Sequence, residues 1–173
     1  VVAIAVLGAL LTDQASSHVR GCVGPGEAVV RSAGHVLVLQ RRLRPKGYTR
    51  RDALVTCWAP TGRRTRIGEV DQFLADLVGT SRVEIIGGRY VGRVITSSGG
   101  PGIYVNAAIF DAERGRRLHD ASQCHDPEPG QHGPSEVVFL PHGGLAYACD
   151  GLFMYQRAAS ARQMPLPPSA GRG

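Results

Sequence analysis

The chain alternates short β-rich runs with glycine-centred breaks, and three stretches share that pattern. They are Val29-Val30-Arg31-Ser32-Ala33-Gly34-His35-Val36-Leu37-Val38-Leu39, the run from Val83 through Gly87-Gly88 to Val94, and the run from Val137 through His142-Gly143-Gly144 to Ala148. The glycines Gly34, Gly88 and Gly144 recur about every 55 residues, a period typical of stacked repeat units. A glycine there supplies the positive φ of a tight hairpin, and its β-branched and aromatic neighbours suit pleated, half-buried strands. Each copy predicts a hairpin.

A second echo follows in each unit. Ala53-Leu54-Val55-Thr56-Cys57-Trp58 runs into a turn at Pro60 to Arg64, and Tyr104 to Phe110 runs into Asp111-Ala112-Glu113-Arg114-Gly115-Arg116-Arg117. Leu152-Phe153-Met154-Tyr155 runs into a weaker turn at Ala158 to Ala161. An Asp that bonds the turn backbone, followed by a left-handed Gly, is how a strand doubles back. Four short antiparallel strands per unit follow, with units at about residues 28–78, 83–121 and 135–166. The spacing of Val70, Phe73, Leu74, Leu77 and Val78 predicts a short helix within Gly68 to Gly79, and Thr96 to Gly102 reads as a flexible hairpin loop.

The segments Gly87-Gly88-Arg89-Tyr90-Val91-Gly92 and Val105 to Phe110 with Asp111 and Gly115 to Leu118 resemble a known pattern. It belongs to secreted actinobacterial proteins with degenerate β-propeller-like repeats of TolB/WD40 type. The resemblance spans about residues 28–166 and implies an all-β fold of propeller-type blades; it brings no catalytic residues with it. Three units fall short of the four to eight blades of a closed ring, so a fragment with missing blades, an open stack or an oligomerising piece is expected. A β-sandwich is the alternative architecture.

The two ends stand apart from this repeat domain, which occupies residues 21–166. Residues 1–20 begin with an apolar run of Val1 to Leu11 and pass through Thr12-Asp13-Gln14 to small residues. That profile matches a secretory signal better than a membrane span, which needs about 20 apolar residues. The charged stretch before Cys22 argues against a lipid anchor, so the mature form is expected to be secreted, without membrane attachment. The Pro-rich tail 167–173 predicts disorder.

Four cysteines in an exported chain predict two disulfides, and three pairings are open. Cys22 with Cys57 and Cys124 with Cys149 are favoured, because each then ties a loop or terminus to a nearby strand.

The net charge of +6 is carried almost wholly by arginine, since Lys46 is the only lysine. Arginine clusters fall at strand ends and turns, where they solvate the loops and discourage edge pairing. If turns of successive units align on one rim, Arg63, Arg64, Arg116 and Arg117 would present a surface for a polyanionic ligand. Aromatics are few, so base stacking, and with it nucleic acid, is not expected.

Catalytic and cofactor signals are sparse. The loop from His119 to His132 gathers His119, His125 and His132 with Cys124, a weak metal set without the paired short spacings zinc prefers. No nucleophile elbow, P-loop or dinucleotide fingerprint occurs, so no cofactor is predicted. A thiolate pairing of Cys149 with His142 would be abolished by oxidation. The sequence therefore predicts a non-catalytic exported scaffold or binding protein of unknown partner, with a polyanion-binding protein and a propeller-type enzyme as alternatives.

Overall fold

A computed structural model describes residues 21–46, 49–73, 80–99, 102–121, 131–134, 136–149, 152–157 and 163–165. The described residues are all-β apart from one 3₁₀ turn, Pro141–Gly143. The first sheet runs in sequence order through β1 (Glu27–Ala33), β2 (Val36–Arg42), β3 (Thr49–Trp58) and β4 (Arg63–Phe73). The second uses β5 (Thr80–Ile86), β6 (Tyr90–Gly99), β7 (Gly102–Asp111) and β8 (Arg116–Asp120), with the two-residue β9 (Gln131–His132) parallel to β7. The third uses β10 (Val137–Leu140), β11 (Gly144–Cys149), β12 (Leu152–Gln156) and β13 (Gln163–Pro165). Every neighbour along the main path of each sheet is antiparallel. The four-stranded antiparallel unit read from the repeat is thus the building block, and the three units form an open stack.

Strand periodicity explains the stacking. Side chains alternate across a pleated strand, so a strand with apolar residues in both phases must be covered on both faces. On β7, Ala108 and Phe110 turn toward the first sheet and pack with Val36, Val38, Leu54, Ile67 and Val70. Their neighbours Ala107 and Ile109 turn the other way and pack with Phe139, Leu145 and Tyr147 of the third sheet. The second sheet is therefore the middle layer. No apolar cluster among the described residues joins the first and third sheets. The first strands of the three sheets nonetheless lie side by side, β5 touching both β1 and β10.

The outer layers end differently. On the far face of the first sheet, Leu37, Leu39 and Cys57 are covered by Cys22, and Val23 packs against the same cluster. Cys22 and Cys57 form a disulfide, as the favoured pairing predicts. Cys149 is also disulfide-bonded, and Cys124 lies outside the described residues. On the far face of the third sheet, Val138 and Phe153 stay exposed.

Several local expectations are corrected. The helix predicted from Gly68 does not form over residues 68–73, which belong to β4 and pair with β3; residues 74–79 lie outside the described ones. Pairing in the ladder overrides the helical spacing there. Thr96 to Gly99 are not loop but continue β6 against Gly102–Val105 of β7. Gly34 and Gly88 have the positive φ expected of them, 58° and 65°, whereas Gly144 does not: Gly143 and His142 take the left-handed conformation at the third turn. There Pro141, His142 and Gly143 form a 3₁₀ turn between the paired residues Leu140 and Gly144. The signal-like residues 1–20, the turn at Ala158 to Ala161 and the tail 167–173 lie outside the described residues.

The disulfide closes a loop with a sequence separation of 35, which on loop-entropy grounds stabilises the fold by about 3–4 kcal/mol. Cys22→Ala with Cys57→Ala should lower the unfolding free energy by about that much in urea titrations. An unchanged midpoint would show that the staple holds nothing the packing does not.

Candidate functional site

The hairpin turns of the first two sheets meet along one rim. Gly34 and Gly88 pack backbone to backbone, since a Cβ on Gly34 would sit 3.0 Å from Gly88 Cα. The second turns meet too: Gly115 lies against the Arg63 and Thr65 side chains, and Arg63 Nη1 donates to the Arg114 carbonyl at 3.0 Å.

Each of these units ties its two turns together. In the second, Arg89 forks onto Asp111, with Nε to Oδ1 at 3.2 Å and Nη2 to Oδ2 at 2.8 Å. Asp111 Oδ1 also accepts the Arg114 N–H at 3.1 Å, and the Ala112 N–H donates to the Arg89 carbonyl at 3.1 Å. The separated motif halves around Arg89 and Asp111 are thus one physical device. In the first unit the Ala59 N–H donates to the His35 carbonyl at 2.8 Å, and His35 meets Trp58 edge to face. An aromatic contact stands where the second unit has an ion pair.

The predicted rim arginines are used unequally. Arg64 pairs with Glu27, which is held below its ordinary value: burial would raise it, but the Gly24 N–H and Arg64 prevail. Arg117 pairs with Asp120 at 3.1 Å. Arg63 bonds a backbone carbonyl, which leaves its charge uncompensated, and no carboxylate among the described residues pairs with Arg116. Arg63 and Arg116 are therefore the rim cations free for an anionic partner.

Behind the rim, between the first two sheets, opens a cleft of about 390 Å³. It is lined by Arg66, Ile67 and Glu69 of β4, by Arg93 of β6, and by Phe110 and Arg117 from the second sheet. Arg93 occupies the apolar phase of its strand between Val91 and Ile95, and only 9% of it is exposed. Its Nη1 donates to the Ile67 carbonyl at 2.5 Å and its Nη2 to Asn106 Oδ1, while Nε is buried with no hydrogen-bond partner. Burial, reinforced by repulsion from Arg117, pushes its pKa down to about 10, so it stays charged at neutral pH.

Backbone irregularity makes room for this guanidinium. Val55 pairs with Arg66 and Leu54 with Gly68, so Ile67 is the extra residue of a β-bulge. A Cβ on Gly68 would collide with Arg93 Nη1. Sequence reasoning passed over Arg93, Asn106 and Gly68. The legible signal was a charged residue in the inward phase of an alternating strand.

The predicted metal set is only partly visible. His119 Nε2 is buried without a hydrogen-bond partner, and burial lowers its pKa despite a backbone hydrogen bond at Arg157. His125 lies outside the described residues, and His132 is described only by its place in β9. Cys149, being disulfide-bonded, offers no thiolate to His142.

The clamp carries a pH signature. Burial pushes the Asp111 carboxyl up, but hydrogen bonds from Arg89 and the Arg114 N–H hold it below its ordinary value. A lowered folded-state pKa adds stability that is complete above the unfolded value near pH 4 and fades as pH falls through the lower, folded value. Asp111→Asn should cost about 1–3 kcal/mol at pH 7 and lose less further stability than the wild type on acidification below pH 4, read from urea midpoints. Parallel acid limbs for the two proteins would contradict the clamp.

No family model, curated protein or solved structure matches the chain, so what the site does rests on its own geometry.

Proposed function

We propose that this chain is an exported, non-catalytic binding protein of the propeller-like kind it resembles, and that its arginine rim holds a polyanionic ligand. The observation that carries this reading is the alignment of the second turns of two successive units, which brings Arg63 beside the Arg114 to Arg116 turn. Guanidinium groups in such a row suit phosphate or sulfate oxygens, which accept their paired N–H donors. Most neighbouring arginines already face carboxylates, so binding falls to the few that do not.

Export is supported by the apolar run of residues 1–11 and by the Cys22–Cys57 disulfide, a bond that persists in oxidising compartments. Among the described residues no helix is long and apolar enough to cross a membrane. Meander sheets with adjacent first strands favour blade-like stacking.

Retention on immobilised heparin tests the reading. The wild type should be held at low salt and released steeply as salt rises, and Arg63→Ala with Arg116→Ala should flatten the log–log salt slope by about two. No retention of the wild type at low salt would remove the proposal.

A further inference from the structure

The Arg93 guanidinium is a buried cation with donors to spare. Five N–H groups radiate from an arginine head, and here two nitrogens are engaged by neutral oxygens while Nε–H has no acceptor. Asp120 attracts it electrostatically, yet no carboxylate among the described residues forms an ion pair with it. An unpaired charge taken out of water works against folding, and an apolar side chain of similar volume would fill the same gap without that cost.

The surroundings define what would complete it. Arg66 and Arg117 stand with Arg93 around the cleft, and its single carboxylate, Glu69, already pairs with Arg51 and Arg66. Positive charge is therefore in excess. Ile67 and the Phe110 ring, which lies 5.8 Å from the Arg93 head, give the cleft an apolar wall. The volume of about 390 Å³ exceeds that of a lone oxoanion and suits a small molecule.

We propose that this cleft binds the single oxoanion group, carboxylate, phosphate or sulfate, of a small molecule whose apolar body rests on Ile67 and Phe110, with Arg93 as the anchor. The bulge at Ile67 and the bare Gly68 hold the guanidinium in place, and its Nε–H is the donor left without an acceptor. Arg66 and Arg117 draw the anion in. Arg63 and Arg116, the free rim cations, do not line the cleft, so this site stands apart from polymer binding on the rim.

The test is an NMR titration of the ¹⁵N-labelled full chain with inorganic phosphate, sulfate or benzoate, at ionic strength fixed with sodium chloride. The Arg93 Nε–Hε signal should move and saturate with at least one of the three, and not with chloride alone. Arg93→Lys, which keeps the charge but loses the fork, should weaken binding about tenfold or more. Arg93→Met should abolish saturable binding. The rim pair Arg63→Ala with Arg116→Ala should flatten the heparin salt slope and still bind the small anion, so the two proposals fail separately. An Arg93 signal unmoved by all three anions, or equal saturation by the Arg93→Lys protein, would overturn the assignment; should Arg93→Met not fold, these two readouts decide it.

Discussion

The constraint on which this molecule depends is that the centre of its middle sheet is apolar on both faces. Strand β7 carries Ala107 and Ile109 in one phase and Ala108 and Phe110 in the other, all buried. A sheet of that kind cannot stand in water, because each uncovered phase would expose a contiguous apolar surface. The first and third sheets are its covers. Neither forms an apolar cluster with the other among the described residues, so each is stabilised chiefly through the sheet between them. Phe139 from the third sheet reaches so close to β6 that Gly92 leaves room for its ring, where any Cβ would collide with it.

That layering places the functional chemistry. Sheets stacked turn to turn put the Gly34 and Gly88 hairpins in contact and set Arg63 beside Arg114, so a rim forms without dedicated binding loops. The Arg89–Asp111 fork fixes the geometry of that rim by tying the start of β6 to the end of β7. The same interface, further along the strands, is interrupted by Arg93. A cation in an otherwise apolar seam keeps the seam from closing completely, and the cleft is the result. Rim and cleft are thus two consequences of one sheet-on-sheet contact.

Much of this was legible in the sequence, for physical reasons. Glycine turns and alternating β-branched residues state local geometry, so Gly34, Gly88 and Gly115 marked real turns and the four-stranded unit followed. The Cys22–Cys57 pairing was readable because it joins a segment to its neighbouring strand. Where reading failed, a non-local term decided. Val70 and Phe73 keep a helical spacing, yet the β3 edge captures Gly68–Phe73 into its ladder. Gly144 has the right position in the repeat, but a 3₁₀ turn shifts the left-handed residues to His142 and Gly143. The cleft was missed because Arg93 drew no reading of its own within the run from Val83 to Val94; its meaning comes from the bulge at Ile67 and the space at Gly68, both on a different sheet.

The central claim is that the middle sheet is the shared core of the stack, and amide hydrogen exchange read residue by residue tests it most directly. Amides of β6 and β7 should be the slowest in the protein, exchanging only on global unfolding, while β1, an exposed edge strand paired on one side only, and β12, in a covering sheet, open earlier. If β1 or β12 proves as protected as β6 and β7, or if the middle strands exchange first, the sheets do not depend on one another as described.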